Sequence, residues 1–119
     1  MITASFPVAA FRKGTRLATF VAMSEVQVIV HLRVAVGHVD EVLALVAELA
    51  KASLAEPGCR RFDVFRHVSD DRKVVLLERY TSHEAFEAHR TSEHTTNLLK
   101  GIAPRLDSQA VEAYDVPQA

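Results

Sequence analysis

The sequence predicts one α+β domain whose elements run β-α-β-β-α-β, with an antiparallel sheet and helices on one face. Three observations predict it. Between residues 25 and 116 the apolar pattern changes from a two-residue period to a helical one and back, twice. A polar Ser69-Asp70-Asp71-Arg72 segment separates two strand-like runs and leaves no room for a helix, so the two form a hairpin. The chain has 119 residues, 49% hydrophobic and 24% charged, which suits one globular domain. A hairpin between two strand–helix units is the ferredoxin-like arrangement.

Each element has its own signal. Val26, Val28, Val30, Leu32 and Val34 alternate with Gln27, Ile29, His31 and Arg33, which predicts a strand over Glu25 to Val34; Gly37 ends it. From Val39 the apolar residues Val42, Leu43, Val46, Leu49 and Ala50 recur at helical spacing, with Asp40, Glu41, Glu48 and Lys51 opposite. Asp40 and Glu41 suit the positive helix start, and Pro57-Gly58 stops the run. Cys59 to Val68 predicts a second strand, with Phe62, Val64 and Arg66 on one face and Arg61, Asp63, Phe65 and His67 on the other. Lys73 to Tyr80 predicts a third, with Val74, Leu76, Glu78 and Tyr80 opposite Val75, Leu77 and Arg79. Thr81-Ser82 then offers a helix N-cap, with Glu84 and Glu87 following. A helix to about Thr91 carries Ala85, Phe86 and His89, and a second piece from Glu93 to Leu106 carries Leu98, Leu99 and Ile102, with Pro104 weakening its end. Gln109 to Val116 predicts the last strand.

The third strand is apolar on both faces, and only one face has helices to cover it. A homodimer through the helix-free face is the economical expectation.

Composition excludes several classes. Fourteen basic residues against fifteen acidic ones give a net charge of -1, and no basic stripe suggests nucleic acid. No apolar run approaches the roughly 18–20 residues of a membrane span. Cys59 is the only cysteine, so no internal disulfide forms, which suits a cytoplasmic protein. No Cys/His spacing suggests zinc, and no P-loop, dinucleotide fingerprint or nucleophile elbow is present, so neither metal nor cofactor is expected.

Residues 1–24 read as an extension before the domain, and 117–119 as a short tail. The extension contains Arg12, Lys13 and Arg16 but no acid, and Met23 offers an alternative start. Without those three cations the rest holds 11 basic and 15 acidic residues, a charge of -4. The apolar stretch precedes the charges, the reverse of a secretory signal.

The chemistry-bearing feature is Glu78-Arg79-Tyr80 followed by His83, Phe86, His89 and His94. Glu78 and Tyr80 share a sheet face, and Phe86 and His89, three apart, can both point from a helix toward it. A phenol, a carboxylate and an imidazole can hold and deprotonate a substrate with an acidic O–H or C–H. Plainer readings stand beside this one. Glu78 can pair with Arg33 or Arg66 across the sheet. Tyr80 can be a core aromatic, and His89 can simply bond a carbonyl. His94 can be a capping or surface residue and His83 a solvated one. His38 and His67 read as surface, His31 as interfacial, and Cys59 as a small buried filler.

The segments Glu56-Pro57-Gly58-Cys59-Arg60-Arg61-Phe62-Asp63-Val64, Glu78-Arg79-Tyr80 and Ala85-Phe86-Glu87-Ala88-His89-Arg90-Thr91-Ser92-Glu93-His94 together resemble the antibiotic biosynthesis monooxygenase (ABM) domain family. The resemblance spans roughly Glu25 to Val116. It implies a dimeric α+β barrel with a cavity between sheet and helices, and it implies cofactor-free oxygenases among the activities: a deprotonated substrate reacts with O₂ directly. Haem-degrading members carry an Asn on the first strand, a Trp on the helix and a His beyond it, where this chain has Val30, His89 and Leu99. Polyketide oxygenases carry an Asn and a Trp on the third strand, a Tyr at the helix start and a later Arg, where this chain has Leu76, Tyr80, Phe86 and Lys100. Glu-x-Tyr, a His nine residues after the Tyr and another five further on look more like the quinol monooxygenase and autoinducer-2-processing branch.

The expected site has His89 as base or substrate hydrogen bond, with Tyr80 and Glu78 orienting the substrate and His94 in support. Phe62, Leu76, Phe86 and Leu98 form its apolar wall. The expected reactants are a quinol-like or enolisable small molecule and O₂. Two other activities stay open: an isomerase or thiolase-like enzyme on a small phosphorylated diketone, with Arg33, Arg66, Lys100 or Arg105 as phosphate partners, and a non-catalytic ligand-binding or stress protein.

Overall fold

The computed structural model describes residues 24–117. The expectation of an N-terminal extension, apart from Ser24, therefore lies outside the described residues. The elements are β1 (Glu25–Val34), α1 (Val39–Leu54), β2 (Cys59–Arg66), β3 (Lys73–Tyr80), α2 (His83–Thr91), α3 (Glu93–Ile102) and β4 (Leu106–Val116). The sheet order is β2-β3-β1-β4, and every neighbouring pair is antiparallel. The helices cover one face, as the ferredoxin-like order requires.

The period-two pattern decides which side chains meet the helices. Val26, Val28, Leu32 and Val34 on β1 and Val74, Leu76, Glu78 and Tyr80 on β3 are buried, while the residues between them are not. Helix α1 answers with Val42, Val46 and Leu49 at spacings of four and three. Gly37 takes φ +84, the only positive φ among the described residues, and turns β1 into α1.

The sheet edges depart from simple alternation. Cys59 pairs with Tyr80 but Arg61 pairs with Arg79, so Arg60 is an extra residue, a β-bulge. Strict alternation puts Cys59 and Phe62, three apart, on opposite faces. The bulge brings both to the buried face. Strand β2 ends at Arg66 rather than Val68, because the His67 ring Nδ1 accepts the Ser69 and Asp70 backbone N–H groups and folds that segment into the turn, leaving Val68 fully exposed.

Helix α3 ends at Ile102, short of the expected Leu106. Pro104 has no N–H to continue the ladder, so Ala103–Arg105 tighten into a 3₁₀ turn. Arg105 Nη1 covers the freed Gly101 carbonyl at 2.6 Å. Leu106 is then extended, and β4 starts three residues before the expected Gln109. Among the described residues no helix is long and apolar enough to cross a membrane.

Candidate active site

A cavity of about 180 Å³ opens between the sheet and the helices. Its apolar wall includes Val28 and Leu76 from the sheet and Val46, Phe86 and Leu99 from the helices. Glu78, His89, Arg90 and Thr95 add the polar groups.

Sheet alternation delivers Glu78. It lies two residues before Tyr80 on the buried face of β3, and both are almost fully enclosed. The Tyr80 hydroxyl donates to Glu78 Oε1 at 2.6 Å. Burial pushes the Glu78 carboxyl up to about 7; the Tyr80 hydrogen bond opposes this and the Glu56 charge adds to it. Burial, then the Glu78 charge, drives the Tyr80 phenol far above its ordinary value, so Tyr80 acts as a hydrogen-bond donor and not as a base.

Helix α2 delivers His89. Ser82 caps its start by accepting the Ala85 N–H at 3.0 Å, which sets Phe86 and His89 on the buried face. His89 packs on Tyr80 with ring centroids 5.1 Å apart and on Phe62 at 6.0 Å. Its Nε2 is 3.8 Å from Glu78 Oε1 and its Nδ1 is 3.1 Å from Glu56 Oε2. Burial lowers the His89 pKa, and the Glu56 charge and hydrogen bond oppose that.

Ser92 then bends the chain. Its extended backbone ends α2, while its Oγ caps α3 by accepting the Thr95 N–H at 3.3 Å. In one straight helix His94 would sit about 140° around the axis from His89. The bend brings them back together, and His94 Nε2 lies 2.5 Å from the same Glu56 oxygen. Glu56, His89 and His94 offer three donor atoms within 4.8 Å of one another, a set that could hold a metal ion.

The structure thus gathers Glu78, Tyr80, His89 and His94. Leu76 and Phe86 line the cavity, whereas Phe62 packs against His89, and Leu99 rather than Leu98 faces the space. Glu78 makes no pair with Arg33 or Arg66. Arg33 points to the opposite face and binds Asp70 at 2.9 Å, and Arg66 lies 3.9 Å from Asp71. His94 is one-third exposed and the cap is Ser92. His83 is mostly enclosed and meets Asp115 at 2.6 Å, because β4 ends beside the start of α2. Burial raises the Cys59 thiol to about 11, which fits an inert filler.

Two participants escaped the sequence reading. Glu56 sits in the turn after α1; it opens one of the segments that carry the family resemblance, but was given no role. Arg90 follows His89 in the segment that resembles the family, where it was given no role.

The fold and this cavity define a small ferredoxin-like α+β domain with a pocket between sheet and helices, and the family follows from the sequence match. Residues 26–100 match the family model for antibiotic biosynthesis monooxygenase, so the chain belongs to that family. It is 39% identical over 63 residues to "Putative monooxygenase Rv0793" of Mycobacterium tuberculosis, a match covering 53% of this chain and 61% of that protein. The structure of Rv0793 superposes with a TM-score of 0.74 at 29% identity, covering 81% of this chain and 98% of that one. A conserved protein of unknown function from Bacteroides thetaiotaomicron superposes with a TM-score of 0.76 at 22% identity, covering 80% and 100%; at that identity the likeness speaks for the fold alone.

Proposed function

We propose that the protein is a monooxygenase that acts without a bound cofactor on a quinol-like or otherwise enolisable small molecule. One observation carries this reading: an apolar cavity of about 180 Å³ whose wall holds a buried carboxyl and imidazole, Glu78 and His89. Drug-sized ligands occupy clefts of roughly 300–1,000 Å³, so this space suits a one- or two-ring substrate.

In this reading His89 takes the proton from a substrate hydroxyl, while Glu78, held by Tyr80, fixes the substrate's orientation. The lowered pKa of His89 keeps its ring neutral and able to accept a proton near pH 7. The quinol anion is electron-rich and forms a carbon–oxygen bond with O₂. The peroxide takes a proton back and loses water, leaving a new carbonyl on the ring. Quinol plus O₂ thus gives hydroxyquinone plus water. All four electrons come from the substrate, so no separate reductant enters. The apolar wall keeps water from the anion.

Oxygen uptake with a quinol panel tests this. Uptake should depend on the protein and fall sharply in His89→Ala; uptake that ignores the protein, or a fully active His89→Ala, refutes it. One observation favours a second reading. Arg90 at the cavity could meet an anionic group, as on a small phosphorylated diketone. Turnover of such a substrate would persist without O₂.

We also propose that two copies pair through the helix-free sheet face. Ile29, Val75 and Leu77 form its middle and Phe65 is half exposed there. Sedimentation giving only monomer at micromolar concentration would rule this out.

A further inference from the structure

We infer that Glu56 and His94 form a clamp that fixes the proton of His89 on Nδ1, so that Nε2 presents its lone pair to Glu78 and the cavity. The inference rests on the reading of His89 as the base. Glu56 and His94 are positioning residues in it, since neither lines the cavity.

The geometry decides the tautomer. Glu56 Oε2 lies 3.1 Å from His89 Nδ1 and 2.5 Å from His94 Nε2. A carboxylate only accepts hydrogen bonds, so each facing ring nitrogen must carry a hydrogen. The other His89 tautomer has one compensating partner, the Thr95 hydroxyl, 3.4 Å from Nδ1. That tautomer would exchange a short bond to a charged acceptor for a long one to a hydroxyl. It would also aim the Nδ1 lone pair at a carboxylate oxygen 3.1 Å away.

On the ring's other side, Glu78 Oε1 is 3.8 Å from Nε2, beyond hydrogen-bond length, and is occupied by Tyr80. Nε2 is therefore left for a substrate proton. Once that proton arrives, the Glu56 carboxylate stabilises the imidazolium, so the same contact that orients the base also lowers the barrier to charging it.

The clamp is built from three separate places in the chain. Glu56 is held in its turn by its own N–H on Ser53 O at 2.9 Å and by Cys59 N–H on its carbonyl at 3.2 Å. His89 lies in the last turn of α2, and His94 in the first turn of α3 beyond the Ser92 bend. Side-chain exposure rises from 6% at His89 to 17% at Glu56 and 33% at His94, so the clamp holds the buried ring from its outer side.

The full chain, labelled with ¹⁵N, gives the test. Long-range ¹H–¹⁵N correlation of the imidazoles at neutral pH should show His89 protonated on Nδ1. In Glu56→Gln the amide can offer an N–H to that nitrogen, and the Nε2–H form should appear. Thr95→Val should leave the wild-type pattern. With a turned-over quinol, Glu56→Gln should lose kcat by at least ~100-fold with little change in KM. An Nε2–H tautomer in the wild-type protein overturns the clamp, whatever the folding of the variant. So does a tautomer that ignores the loss of the Glu56 carboxylate in a folded Glu56→Gln. So does a stoichiometric divalent metal in the wild type that is lost in Glu56→Gln, which would make the same three atoms a metal centre. If His89→Ala keeps full turnover while the tautomer follows Glu56, the clamp stands and the base assignment alone falls.

Discussion

Replacing Glu78 by Gln removes a buried charge while keeping the side chain's shape and the oxygen that accepts from Tyr80. The unfolded chain's carboxyl titrates near 4.5 and the folded one near 7, chiefly because burial disfavours the ion. Below pH 4.5 both states hold the proton, and Glu78 neither gains nor loses stability. Between 4.5 and 7 the unfolded chain gains by ionising and the folded chain does not, so stability drains away as pH rises through that window. Above pH 7 the loss is complete, about 3 kcal/mol at ~1.36 kcal/mol per pH unit. Glu78→Gln escapes this loss. Urea melts should find it more stable than wild type by about 3 kcal/mol at pH 8 and by about 1 kcal/mol or less at pH 5. For a domain of this size the pH 8 difference corresponds to a rise in melting temperature on the order of 10–20 °C. A stability difference equal at the two pH values to within about 0.5 kcal/mol would show that the carboxyl is not held protonated by burial. The same variant should lose substrate orientation, an exchange of stability for function.

Other substitutions probe the supports of the site. Tyr80→Phe removes the one hydroxyl that favours the Glu78 carboxylate, so the carboxyl should titrate still higher, read by ¹³C carboxyl shifts, with about 1–3 kcal/mol lost at pH 8. At Gly58 an added Cβ would meet Ala85 Cβ at 2.4 Å and Thr81 Oγ1 at 3.2 Å; Gly58→Ala should therefore push β2 from α2 and destabilise by about 1–3 kcal/mol in thermal melts. Ser82→Ala leaves the Ala85 N–H uncapped and should cost about 1 kcal/mol, with α2 fraying first in hydrogen exchange.

The fold was legible because its signals are local. Alternation in Glu25–Val34 and Lys73–Tyr80 sorts the residues that the sheet buries from those it does not, and the helical spacing of Val42, Val46 and Leu49 survives unchanged. Where an element boundary differs from the expectation, a side-chain contact a few residues away intervened. Arg105 on Gly101 shapes the end of α3 and the His67 ring ends β2, whereas the bulge at Arg60 lets Cys59 take the buried place expected of it. The site was half legible. Glu78 and Tyr80 follow from a period of two, and Phe86 and His89 from a helix.

By itself the sequence determined the element order, the buried faces and the shared face of Glu78 and Tyr80 on β3, through spacing within each element, and the family resemblance through three segments taken together. Only the tertiary structure decided what His89 meets. Glu56 lies 33 residues before it in a turn, and His94 lies beyond a bend that one serine makes. Periodicity predicts the face a side chain occupies but not the loop that closes over it. That is why the carboxylate that orients the imidazole became visible only when three distant pieces of chain were brought within hydrogen-bond reach.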